Sequence, residues 1–195
     1  MKAEEAILTR RSTRVYAETK VEQEKLDRVI EAGRMAPSGG NSQTTHFIVI
    51  RNEKVLEELA RLVKQEFSKM EETPGMYRSM AAAIRRSKEK AYVFHYNAPV
   101  LILTANQIEY GNNIADCACA LENMMIEANA LDLGTCWINQ LKWLNENEII
   151  TEYLRTIGLN EGERVYGALS VGYAKGGLPD RNPLPRTGNV VTWVD

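Results

Sequence analysis

The chain has 195 residues, of which 44% are hydrophobic and 26% charged, and a net charge of -2. These are the proportions of an ordinary soluble globular protein with a substantial core; they argue against a general nucleic-acid binder, and no apolar run approaches the roughly 18 residues that a membrane helix needs. Three cysteines do not suggest a disulfide framework, and "MKAEEAILTRR" has no apolar core of the kind a signal peptide carries, so a cytoplasmic protein is expected.

Residues 3–10 read as a short helix that stops at an arginine cluster, and residues 22–35 as a stronger one. In the second, Leu26, Val29, Ile30 and Gly33 share one face, and Pro37 ends it. "PSGGNSQTT" is a loop by composition, and "HFIVIR" (46–51) is a strand. Residues 53–70 read as a helix. Residues 71–95 mix turn signals, alanines and a basic patch; they read as a loop plus an amphipathic helix with few large apolar anchors, suited to a mobile cover. "APVLILTA" (98–105) suits a buried central strand. From 111 to 131, Ile114, Cys117, Ala118, Leu121, Met124, Met125 and Ala128 keep helical spacing. "TCWI" is a short extended piece, 146–157 a helix ended at Gly158, and "RVYGALSVGYA" a last core strand. The prolines at 179, 183 and 185 keep the tail extended, and "NVVTWVD" has strand character. One domain is expected over 1–195, with 176–195 as an extended arm too apolar at its end to lie free.

The usual motifs of side-chain chemistry are absent. No dinucleotide fingerprint or P-loop is found, and His46 and His95 have no metal-ligand spacing. Cys117 and Cys119 lie two apart on a helix and point to different faces, so no metal is expected there. If the chain is an enzyme, a cofactor does the chemistry. The cluster "TRRSTRVY" (9–16) has two readings. If the first helix runs on to Arg14, Arg10 and Arg14 share a face; guanidinium groups and the Ser12 hydroxyl then suit a phosphate. Otherwise the cluster is a solvated helix end whose charge complements the helix dipole.

Three further stretches, "RMAPSGGNSQTTHFIVI", "LDLGTCWINQL" and "VYGALSVGYA" followed by "NPLPRTGNVVTWV", join the arginine cluster in a set whose order resembles the FMN-dependent nitroreductase family. The family pattern pairs Arg-x-Ser-x-Arg/Lys with Ala-Pro-Ser-x-x-Asn-x-Gln; Arg10, Ser12 and Arg14 match the first, and Ala36, Pro37, Ser38, Asn41 and Gln43 the second. The family commonly has Pro-Trp after the Gln, where Thr44 and Thr45 stand here; larger members carry a basic residue where Leu184 stands. The resemblance implies an α+β fold, a mixed or mainly antiparallel sheet flanked by helices, in an intertwined homodimer with exchanged C-terminal tails. It implies FMN at the dimer interface and NAD(P)H as co-substrate. Hydride would pass through flavin N5 to a small-molecule acceptor such as a nitroaromatic or quinone, in two half-reactions. By the same resemblance, Arg10, Arg11 and Ser12 would hold the phosphate or ribityl chain, and Arg14 the pyrimidine edge. Pro37, Ser38, Gly39 and Asn41 would reach the flavin of the other subunit. Trp137, Ile138 and Asn139 would line the ring, and Arg186 would add a late phosphate contact.

Physical reasoning supports several of these roles. A fixed cation near N1 and O2 raises a flavin's reduction potential, and small residues let backbone approach a flat ring. Asn41 has the plainer reading of a turn residue, and Trp137 that of a core residue. Two other functions stay open: a flavin-binding storage or sensing module without turnover, and a non-flavin protein whose arginines meet an acidic partner or RNA.

Overall fold

Four strands and seven helices make up the computed structural model, which describes residues 1–179 and 182–195. The strands are β1 (His46–Ile50), β2 (Val100–Gln107), β3 (Gly134–Ile138) and β4 (Glu163–Gly172). They pair antiparallel throughout in the order β1-β2-β4-β3, so the sheet takes the antiparallel form of the two that were expected. Seven of the eight β2 residues are buried, as a continuous apolar strand covered on both faces requires.

The helices are α1 (Ala3–Thr9), α2 (Gln23–Arg34), α3 (Glu53–Ser68), α4 (Arg78–Ser87), α5 (Asn113–Ala130), α6 (Gln140–Trp143) and α7 (Glu148–Thr156). Successive strand side chains point to opposite faces and so divide the core in two. Leu101, Leu103 and Ala105 meet α3, α4, α6 and α7 through Leu59, Val63, Phe67, Ile84, Leu141 and Leu154. Val100 and Ile102 meet α2 and α5 through Leu26, Val29, Leu121, Met124 and Ala128. Gly33 lets α2 close onto α5: a Cβ there would lie 2.9 Å from Met124 Cγ.

Two details depart from the sequence reading. First, α1 ends at Thr9, so Arg10 and Arg14 share no helical face. From Ser12 the chain is extended and forms a parallel bridge to Thr135, because the open edge of β3 offers backbone groups that need partners. Second, the 71–95 region has firm anchors: Ile84, Tyr92 and Phe94 are buried, and the largely exposed stretches are 71–79 and 88–91. The described tail residues pair with no strand of their own chain; Val190 is 92% exposed and Trp193 84%. One extra turn, α6, follows β3 directly, where periodicity is too short to register. Among the described residues no helix is long and apolar enough to cross a membrane, and no His, Cys, Asp and Glu cluster is arranged to hold a metal.

Candidate functional site

The arginine segment runs along β3. Thr13 N–H donates to Thr135 O at 2.8 Å, and Tyr16 bridges Ala174. The approach is close enough to require glycine at 134, where a Cβ would fall 2.4 Å from Thr13 Oγ1 and 2.7 Å from its Cβ. Alternation then turns Ser12 and Arg14 outward while Thr13 is buried. The Arg14 guanidinium stands 5.9 Å from the centre of the Tyr96 ring. Burial pulls its pKa down, but Cys136 and the Tyr96 hydroxyl push it up by more, so the group is held firmly cationic. Arg10 Nε lies 3.7 Å from Glu122 on α5, in a partly exposed pair. Arg11 donates to the carbonyls of Leu8 and Arg10 at 3.3 and 2.9 Å, and also to that of Asn182 in the tail. Three cations and a free-standing serine hydroxyl face therefore gather at one strand edge.

The far end of β3 carries the second group. Cys136 and Ile138 turn into the α3 side of the sheet, whereas Trp137 turns toward α5. Trp137 is half-buried, and its indole Nε1–H donates to Asn139 Oδ1 at 2.9 Å. Gly167 on β4 makes room beneath it: a Cβ there would lie 3.3 Å from Trp137 Nε1 and 2.5 Å from Leu121 Cδ1. Asn139 immediately precedes α6.

Pro37, Ser38, Gly39 and Asn41 form a third group, in a tightly wound loop. Asn41 N–H donates to Ser38 O at 2.9 Å, and Gln43 N–H to Ser38 Oγ at 3.1 Å. This loop lies against the first turn of α5, where Gly39 N–H meets Asp116. Helix α1, which leads into the arginine segment, lies at the opposite end, where Asn129 Nδ2 donates to Ala6 O and Thr9 Oγ1, while Arg10 itself reaches Glu122 in the middle of α5. Asp116 and Asn129 are 13 residues apart, or about 20 Å of helix. The chain thus brings Arg10, Arg11, Ser12 and Arg14 to the strand that bears Trp137 and Ile138 and leads into Asn139, while the loop meets α5 separately at Asp116. Arg186 lies exposed in the tail.

Tyr96 and Asp116 were not found by sequence reasoning. Tyr96 and Asn97 are the central residues of a turn closed by Ala98 N–H to His95 O at 3.1 Å, with φ of 58° and 55°. Asparagine is enriched in left-handed backbone, but tyrosine is not, so Tyr96 gives no local signal of the turn. Asp116 falls within an otherwise apolar helical pattern and reads there as a first-turn acid.

Residues 7–173 match the model of the Nitroreductase family. A solved nitroreductase with bound FMN from Bacteroides fragilis superposes with a TM-score of 0.88 and 31% identity, covering 100% of each chain. A second nitroreductase with bound FMN, from Desulfitobacterium hafniense, has a TM-score of 0.83 at 21% identity, again over 100% of each chain, and shares the fold. An Archaeoglobus fulgidus protein named "Putative NADH dehydrogenase/NAD(P)H nitroreductase" is 28% identical over 169 residues, 87% of this chain and 83% of its own length.

Proposed function

The chain belongs to the nitroreductase family, and from that membership we propose that it is an FMN-dependent NAD(P)H oxidoreductase acting on an organic acceptor such as a nitroaromatic or quinone. One observation carries the reading: pairing of the arginine segment with β3 joins the cation cluster to Trp137, Ile138 and Asn139 on one strand edge. The donor set suits FMN. Arg10, Arg11 and Ser12 offer the charge-assisted and neutral hydrogen bonds that a phosphate and a ribityl chain take. FMN, when bound, supplies hydride acceptance and release at N5.

The remaining roles belong to this chain's own groups. Arg14 presents a fixed cation to the pyrimidine edge, where negative charge gathers on reduction. Trp137 gives an apolar surface to the ring, Ile138, whose side chain is buried on the other face of the sheet, offers it only backbone, and the Trp137–Asn139 hydrogen bond holds those two side chains in place. NAD(P)H and acceptor use the same exposed face in turn, which makes the reaction ping-pong. The loop at Pro37, Ser38, Gly39 and Asn41 meets α5 at Asp116, whereas Arg10 meets it at Glu122, about 9 Å further along the helix; the loop reaches the flavin of a partner subunit. The site is then complete only in a homodimer, and the tail from Gly176 carries Arg186 across to it. We read residues 1–195 as one domain with this arm, working in the cytoplasm.

The visible spectrum of the purified protein, taken before and after anaerobic NAD(P)H, tests the proposal. A yellow protein that NAD(P)H bleaches and an acceptor restores is expected, and chromatography of the released cofactor is expected to give FMN rather than FAD. A colourless protein overturns flavin binding. A yellow protein that NAD(P)H leaves oxidised overturns turnover and favours a storage or sensing module.

A further inference from the structure

Asp116 is 5% exposed, on the buried face of α5, where a carboxylate costs free energy unless its oxygens are hydrogen-bonded. Its hydrogen bonds go outward from its own helix. Gly39 N–H points between its two oxygens, at 3.1 and 3.3 Å. Tyr110 Oη lies 2.8 Å from Oδ2, and Ser42 Oγ lies 2.9 Å from Tyr110 Oη. The phenol has a single proton, and the shorter contact assigns it to Asp116; Ser42 then donates to the phenol oxygen. The Gly39 carbonyl, 3.1 Å from the same phenol oxygen, lies within its reach. Both ends of the Gly39–Ser42 turn are therefore tied to one carboxylate. Asp116 lies in the first turn of α5, where the helix dipole also favours negative charge.

The turn needs such a tie. Gly40, Asn41 and Gln43 have φ of 58°, 56° and 52°, and two of the three are residues with a Cβ, in backbone that persists only where surroundings over-determine it. Contact is tight on one side: a Cβ on Gly39 would lie 2.0 Å from Asn112 Nδ2 and 2.7 Å from Tyr110 Oη. On the other side a cavity of about 190 Å³, lined by Pro37, Ser38, Gln43, Phe47 and Asp116, leaves space for the loop to relax. Packing alone does not hold the loop, so the hydrogen bonds must.

We propose that Asp116, with Tyr110, is a positioning residue that holds the Pro37–Asn41 loop in the shape that meets the flavin; this rests on the reading of that loop as flavin-contacting. The purely structural alternative, in which Asp116 only anchors the start of α5, affects folding stability and leaves flavin binding alone. The two are separated by titrating apoprotein with FMN and following flavin fluorescence and the visible circular dichroism of the bound ring, beside the melting temperature of the apoprotein. Loss of a charge-assisted hydrogen bond in Asp116→Ala is expected to weaken FMN about tenfold and to change the visible dichroism. Tyr110→Phe, which keeps the ring and removes only the hydroxyl, is expected to do the same to a smaller extent. Because both act through one network, the double variant is expected to be no worse than Asp116→Ala. Should Asp116→Ala fail to fold, Tyr110→Phe decides. Wild-type affinity and dichroism in the folded variants overturn the proposal, even with a lowered melting temperature. Wild-type protein that takes up no FMN overturns the flavin reading itself, and the proposal with it.

Discussion

Arg14 has its place set by two neighbours that are remote in sequence, Cys136 on β3 and Tyr96 in a left-handed turn. Its charge type was legible in the motif; its geometry was not, since α1 ends five residues earlier and extended backbone turns the side chain outward. Arg14→Ala is expected to lower the potential of bound FMN, because the reduced ring loses its counter-charge. An effect of about 1–3 kcal/mol corresponds to roughly 20–65 mV for a two-electron couple. Dye-coupled redox titration of the flavin-loaded variant measures it, and an unchanged potential removes the role. His95 takes up its proton at lower pH than a surface histidine. Burial, the largest cause, pushes its pKa down to about 4, and among the described residues Nδ1 has no hydrogen-bond partner. The unfolded chain then binds more protons than the folded one between about pH 4 and 6.5, so the stability tied to neutral His95 is present above about pH 6.5 and lost as pH falls toward 4. Urea unfolding across that window is expected to show a loss that His95→Gln flattens. Parallel profiles for the two proteins would contradict the assignment.

At the scale of elements, periodicity found most of the layers. Leu26, Val29 and Gly33 are buried on α2, and Cys117, Leu121, Met124 and Ala128 on α5, as their spacing requires. The 71–95 region was read less well because its anchors are scattered. Ile84 lies on α4, whereas Tyr92 and Phe94 lie in turns, where no period reveals that they enter the core. Any mobile cover is therefore narrower than composition suggests; the segment before α4, 71–77, is exposed except at Met76 and lies outside any helix or strand. Amide exchange is expected to be fast there and slow in β2 and at Phe94, following burial and hydrogen bonding. Mass-resolved hydrogen exchange checks this, and protection of 71–77 equal to that of β2 would refute it.

At the scale of the whole molecule, the tail is the unsettled surface of the single chain. Val190, Val191, Trp193 and Val194 are exposed together, which an isolated soluble chain rarely sustains. Docking on a partner subunit would remove ~300 Å² of apolar surface from water, contributing about 7 kcal/mol before ordering costs. It would also carry Arg186 toward the flavin phosphate. Truncation after Lys175 is therefore expected to give a protein that dissociates more readily, melts lower and loses FMN. Sedimentation and the visible absorbance of the truncated protein measure this; a yellow dimer with an unchanged melting temperature would rule it out.

The sequence by itself determined what is local: the strand at 98–105, the long helix after 111, the glycine-rich loop and the cation cluster. Each depends on residue type and spacing over a few turns, and the order of these stretches identified the family. Only the tertiary structure decided what meets what. It ended α1 at Thr9 because the edge of β3 captures Ser12 and Thr13, and it put the loop and α1 at opposite ends of α5. It also turned Asp116, which reads as a helix-start acid, toward Gly39, 77 residues away in the chain. Contacts between remote segments follow from how layers stack and which backbone groups lack partners, and a linear pattern does not encode that pairing.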